Sequence, residues 1–259
     1  MVPASRWKLT VKGDGATRAL DLLAPLGKGQ RALITVPPRV DATSTLVTIV
    51  KGILANAPDA HVIVLSIDGR PEDAAALQRR IDTEIVATTF DEHPDHHVAT
   101  AELVMERAKR LVELGSDVVI VLDSLTRLAR AFGTGPAQGR PPNDFTVAAK
   151  PKRFFGAARA CEEGGSLTIV ATVAVEGPSV FDAVVAEEAT AIANGEIALS
   201  RDLAGARIEP PIDYRMSGTR DDDVLLTGPE LTRVRDVRSG FGTRSALDVA
   251  ATIAGDIAR

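Results

Sequence analysis

The stretch ITVPPRVDATSTLV, Ile34 to Val47, decides the fold. It finishes the apolar run ALITV (Ala32 to Val36), which suits a buried strand, and from Thr43 to Ala55 it carries a helical pattern. The bend between strand and helix is where a nucleotide-binding sheet cradles phosphate, with glycines and then Lys followed by Ser or Thr. Here the bend supplies Asp41, Ala42 and Thr43. Asp is a good N-cap and its charge suits the positive end of a helix. The residues by themselves therefore predict a capped strand-to-helix turn.

Outward from this bend, strand-like and helical runs alternate. HVIVLSI (His61 to Ile67) precedes PEDAAALQRRI, which places Pro and acids where a helix begins. EIVATTF (Glu84 to Phe90) is a third strand, and HVATAELVMERAKRLVELG is a long amphipathic helix ending at Gly115. DVVIVLD (Asp117 to Asp123) reads as a strand buried on both faces. RFFGAARACEEGG (Arg153 to Gly165) reads as a helix and SLTIVATVAV (Ser166 to Val175) as a fifth strand. GTGPAQGRPPND reads as a loop and TRDDDVLLTG as an acidic turn. The alternation predicts an α/β domain with a mostly parallel sheet and helices on both faces. Residues 1–18 are polar and turn-rich and read as a leader or linker, with one domain over 19–259.

At 259 residues, 45% hydrophobic and 25% charged, the chain suits a soluble globular protein with a substantial core. A net charge of -5 argues against a broadly basic nucleic-acid surface. The lone Cys161 excludes an internal disulfide and fits a reducing compartment. No apolar signal core and no run of about 20 apolar residues occurs. A cytoplasmic location, with no membrane partner, is expected.

In IVLDSLTRLARAF, Asp123 closes an apolar strand and is followed by Ser, as where a nucleotide-binding sheet presents a carboxylate to magnesium. An Asp there also serves as a turn former. The words PLGKGQRALITVPP, SIDGRPEDAAALQR, TTFDEHPDHHVATAELVMERAKRLVE, VVIVLDSLTRLARAF, PKRFFGAARACEEGGSLTIVAT and PPIDYRMSGTR follow in order. Together they resemble the ATPase domain of bacterial transcription termination factor Rho, from about Ala19 to Leu231. The resemblance implies a RecA-like P-loop NTPase core, a hexameric ring with ATP between subunits, and RNA in the central channel. It also implies an N-terminal OB-type RNA-binding domain, which the 18 residues before the match leave no room for.

The resemblance places nucleotide contacts at Gly27, Lys28, Gly29, Gln30, Arg31 and Ala32, and again at Arg39, Val40, Asp41, Ala42, Thr43 and Ser44. The family's loop runs Pro-Pro-Lys-Ala-Gly-Lys-Thr; here Asp41 replaces the glycine and Ala42 the phosphate-binding lysine, while Thr43 persists. A carboxylate about 5 Å from a phosphate charge costs roughly 3 kcal/mol at an effective dielectric near 20. Gly69 stands where the family's general-base Glu follows the second strand, and Glu209 where its aromatic residue meets adenine. Asp123 matches the magnesium-side acid, Arg70 a pocket arginine, and Arg220 the arginine supplied across the subunit boundary. The arginines have a structural alternative as interface residues, with Asp221, Asp222 and Asp223 beside Arg220 as possible occupants.

Among channel residues, a lysine has become Val180, whereas Arg140, Lys150, Lys152 and Arg153 keep positive charge that serves either RNA or solvated surface. FDEHPDHH clusters His93, His96 and His97 with acids but lacks fixed ligand spacing, so no metal site is expected. The sequence thus predicts a Rho-like pseudoenzyme acting through a homo- or hetero-oligomer, with no cofactor. The alternative is a divergent RNA-dependent ATPase binding ATP and Mg2+, with Arg39 replacing the lysine and Glu72 the base.

Overall fold

Every residue of the strand Ser166–Ala174 except its last is buried, so its backbone needs hydrogen-bonding neighbours on both sides. The computed structural model, which describes residues 5–134 and 149–257, supplies them. Its first half runs β1 (Arg6–Trp7), α1 (Gly15–Leu23), β2 (Leu26–Gly27), β3 (Arg31–Val36), α2 (Thr43–Asn56), β4 (His61–Gly69), α3 (Pro71–Arg80) and β5 (Glu84–Thr89). α4 (Pro94–Glu113), β6 (Asp117–Asp123), α5 (Leu125–Thr134), α6 (Ala149–Phe155), β7 (Arg159–Ala160) and β8 (Ser166–Ala174) follow. The last elements are α7 (Val180–Ile192), β9 (Gly195–Ala198), α8 (Arg201–Gly205), β10 (Gly218–Thr219), α9 (Gly228–Ser239) and α10 (Ala246–Ile257).

The main sheet has the order β10-β9-β3-β8-β6-β4-β5, parallel except for β10, with β7 pairing antiparallel to β8. Alternate residues feed two cores. Ala32, Ile34, Val119 and Val121 face the helices α1, α2, α9 and α10, whereas Leu33, Val118, Ile120 and Leu122 face α4, α5 and α7. The predicted α/β class, with helices on both faces, is what the chain adopts.

Two local expectations fail. Arg153 to Gly165 is not one helix: α6 ends at Phe155, and the chain then turns back to pair β7 with β8. Residues 1–18 are not simply a leader, because the described part from Ser5 is built into the domain. β1 pairs with β2, and Trp7 and Leu9 are each only 1% exposed. Leu9 reaches the core because Gly52 in α2 has no side chain; a Cβ there would lie 2.6 Å from the Leu9 carbonyl oxygen. The Trp7 indole donates to Thr168 Oγ1 at 2.9 Å, and the Gly29 amide donates to the same oxygen. Lys28 Nζ sits 5.1 Å from the Trp7 ring centroid and pairs with Asp117 at 2.6 Å. Arg6 holds the buried Asp21 at 2.7 Å and reaches Glu230 of α9 at 3.0 Å.

Trp7→Ala should therefore cost about 3–5 kcal/mol by lost burial and a residual cavity, read by urea denaturation followed by circular dichroism. A second expectation concerns acid. Burial opposes ionisation of Glu230, but the bonds from Thr227 and Arg6 outweigh it and hold the carboxyl below its ordinary range. A depressed carboxyl stabilises the fold above its unfolded value, about 4.3, and loses that contribution as pH falls through its folded value. The stability gap between the native protein and Glu230→Gln should thus be widest near pH 6 and close on approach to pH 3.

Candidate nucleotide cleft

The carboxyl ends of β3, β6 and β8 open into a cleft of about 580 Å3. It is where a parallel α/β sheet places its ligand. The structure brings Arg39, Val40, Asp41, Ala42, Thr43, Arg70 and Asp123 to this one cleft. Ser44 is buried behind them in the first turn of α2. Gly27 to Ala32 do not join them. They lie at or before the amino end of β3, about 17 Å away along a six-residue strand. There their groups serve the fold: Gln30 bonds the Gly27 amide at 2.5 Å and the Asn194 carbonyl at 3.0 Å, and Arg31 donates to Ile192 O at 2.6 Å.

The phosphate-loop position is occupied by its own side chain. Asp41 Oδ1 accepts from the Thr43 amide at 2.8 Å and from the Thr43 hydroxyl at 2.7 Å. Asp41 is not itself the N-cap; Ala42 occupies that position, and Asp41 bonds two residues ahead as Asp does in tight turns. Arg39 adopts the left-handed region at φ 68.

The other charges of the cleft pair within the chain. Asp123 Oδ2 meets Arg127 Nη2 at 2.9 Å, and its Oδ1 accepts from Thr172 Oγ1 at 2.7 Å. It does not cap the following turn; Ser124 Oγ accepts the Arg127 amide instead. Arg70 pairs with Asp73 at 3.2 Å, and Arg130 grips the buried Asp182 bidentately through Nε and Nη2. Glu72, the substitute base considered from sequence, does not line the cleft. Arg127, Arg130, Asp73 and Asp182 were missed. The four-residue spacing of Asp123 and Arg127 was a usable clue, whereas Arg130 and Asp182 are 52 residues apart.

Gly69 lies beyond a register shift in β4, after Asp68 in the left-handed region at φ 51. A Cβ on Gly69 would lie 2.7 Å from the hydroxyl of buried Ser66. Buried His97 bonds Thr88 Oγ1 at 2.9 Å with its other nitrogen 3.9 Å from Asp68, while His93 caps α4 and His96 pairs with Glu92. The three histidines thus go three separate ways.

Glu209 lies outside the cleft, on a second cavity formed with residues 10–19 and α10. Arg220 shares a basic concavity with Arg31, Lys152 and Arg153 at the amino ends of the strands. Among the described residues Arg220 forms no ion pair with Asp221, Asp222 or Asp223, which turn into a short 3-10 helix, Asp222–Val224. Lys152 pairs with Glu188 at 2.5 Å, and Lys150 lies 5.2 Å from the Phe132 ring centroid. Val180 is 72% exposed, and Arg140 falls outside the described residues.

Gly69→Ala should destabilise the protein by about 1–3 kcal/mol through overpacking against Ser66. Ser66→Ala should recover most of that loss in the double variant, measured by thermal and urea unfolding.

Comparison with known proteins places this geometry. Residues 16–219 match the nucleotide-binding domain of the ATP synthase alpha/beta family. Transcription termination factor Rho of Mycobacterium tuberculosis is 47% identical over 257 residues, covering 96% of this chain and 43% of that protein. Rho of Haemophilus influenzae is 49% identical over 246 residues, covering 92% of this chain and 59% of that protein. This chain therefore spans less than half the length of the mycobacterial relative. Among solved structures, a prototypical ATPase from the type III secretion system of pathogenic bacteria superposes with a TM-score of 0.76. It is 26% identical, over 85% of this chain and 65% of the other.

Proposed function

We propose that this chain, which belongs to the ATP synthase alpha/beta nucleotide-binding domain family, is a Rho-like pseudoenzyme that has lost ATP hydrolysis and acts through protein assembly. The carrying observation is Asp41: its carboxylate holds the Thr43 amide, a donor a nucleotide phosphate would need, and the Thr43 hydroxyl, whose oxygen would face the metal. Ala42 brings no compensating cation. Asp123, the magnesium-side acid by resemblance, is held by Arg127 and Thr172. At Gly69 no carboxylate is available to orient water, and Ser66 crowds the place where one would attach. The residues present therefore do not fit magnesium-ATP.

The assembly part rests on the extent of the likeness to Rho and on Arg220, Arg153 and Arg31, which face one concavity and form no ion pair among the described residues. Such guanidinium groups suit contact with carboxylates of another subunit, whether a second copy or a true Rho protomer. RNA binding is not part of this reading, since Lys150 and Lys152 are engaged within the domain.

Calorimetric titration with magnesium-ATP to millimolar concentration should give no saturable heat for the native protein. Asp41→Gly with Ala42→Lys should raise nucleotide affinity at least about tenfold, since it removes a like charge and adds an opposite one. Saturable binding by the native protein, with RNA-stimulated turnover lost in Asp123→Asn, would establish a divergent RNA-dependent ATPase instead.

A further inference from the structure

Three adjoining hollows run along the border of the sheet formed by β9 and β10, each sharing residues with the next. At the amino end lies the basic concavity of about 630 Å3, with Arg31, Lys152, Arg153 and Arg220. A middle hollow of about 310 Å3 shares Asn194 and Arg220 with it, and shares Glu196 and Met216 with the third. The third, about 550 Å3 at the carboxyl end, gathers Glu176, Glu196, Asp202 and Asp213 with Arg201. Charge along this strip is therefore polarised, since no carboxylate lines its first hollow and acids outnumber the one cation in its last. Internal pairs neutralise part of each end: Lys152 with Glu188, Arg201 with Glu176, and Arg215 with Asp213. Arg153 and Arg220 at one end, and Glu196 and Asp202 at the other, form no ion pair among the described residues. Between the ends stands Met216, an apolar side chain that is 69% exposed.

We propose that this strip is a docking groove for an extended segment of a protein partner, anionic at one end, apolar in the middle and cationic at the other. The inference rests on the assembly reading above and names the chemistry of the partner. Complementary potentials fix which end of the segment lies where, because either end placed the wrong way meets like charge. The guanidinium groups of Arg153 and Arg220 suit carboxylates, and Glu196 with Asp202 suits an ammonium or guanidinium. The ends are separated by the four residues of β9, about 13 Å, a span that about seven residues of extended peptide cover with a charged side chain reaching into each end. Met216 offers the segment an apolar contact midway. A nucleic acid fits less well: no aromatic residue lines the strip to stack a base, and the acidic end repels phosphate.

The probe is the capped peptide Lys-Arg-Ala-Leu-Ala-Asp-Glu, set against an all-acidic peptide, an all-basic peptide of the same length, and a uridine hexanucleotide. Calorimetric titration at about 50 mM salt, where surface charges are weakly screened, should give one saturable site for the bipolar peptide. The other three should bind at least about tenfold more weakly, each having like charge at one end. Arg153→Glu with Arg220→Glu should abolish binding of the bipolar peptide and make the all-basic peptide the best ligand. Glu196→Gln with Asp202→Asn should instead let the all-acidic peptide bind as tightly as the bipolar one. These exchanged preferences also show that each variant is folded. A bipolar peptide that fails to saturate, an all-acidic peptide or hexanucleotide that matches it on the native protein, or preferences unmoved by the variants overturns the proposal. Sedimentation velocity keeps the two readings apart: self-association that persists in the Arg153→Glu, Arg220→Glu variant leaves assembly standing and overturns the groove as its site.

Discussion

A parallel sheet sealed on both faces can present polar groups only at its two ends, and this constraint organises the molecule. β8 is buried along almost its whole length, and β3, β4 and β6 nearly so. Their backbone amides and carbonyls are consumed by one another, and the side chains between them are largely Val, Ile, Leu and Ala. Hydroxyls and charges therefore collect where the strands stop. At the amino ends they form the lock of Trp7, Lys28, Asp117, Ser166 and Thr168. At the carboxyl ends they form the cleft of Asp123, Thr172 and the arginines. One end has become structural; the other keeps the layout of a ligand site.

That layout is filled from within. Each carboxylate of the cleft has a protein partner: Asp41 with Thr43, Asp73 with Arg70, Asp123 with Arg127, Asp182 with Arg130. Of the two pairs whose arginines lie on α5, only Asp182 is buried, so losing Arg130 would leave that carboxylate poorly solvated. Charge compensation of this kind lets a sheet end remain polar without an exogenous ion. The aliphatic cavity beyond it follows a different logic, being closed by the N-terminal segment and α10 rather than by the sheet.

How much of this was legible depends on the length of the pattern. DVVIVLD and SLTIVATVAV declare themselves because several successive residues share one environment, and the central α/β order follows from them. Trp7 does not, because a two-residue strand has no period, and Leu9 does not, because its burial depends on Gly52, more than 40 positions away in the chain. Asp41 was read as the N-cap, but its carboxylate bonds the Thr43 amide from one residue before the cap, since a side chain that short can serve either its own helix start or a turn just outside it. Gly27 to Ala32 were placed with the nucleotide contacts by resemblance alone; the extended β3 carries them to the opposite end of the sheet from the cleft. Arg130 with Asp182 arises only from tertiary juxtaposition.

The two borders of the sheet carry a consequence for association. On one side β10 contributes only two residues; on the other, β5 is followed by a turn and begins at Glu84, which is tied to Arg107 of α4. A two-residue stub is a poor template for another chain's backbone, and the ion pair at Glu84 puts charge at the start of the other border. Any lasting union with another copy must be made by side chains meeting across shaped surfaces, which makes it sensitive to salt and to single substitutions in a way that amyloid-like stacking is not.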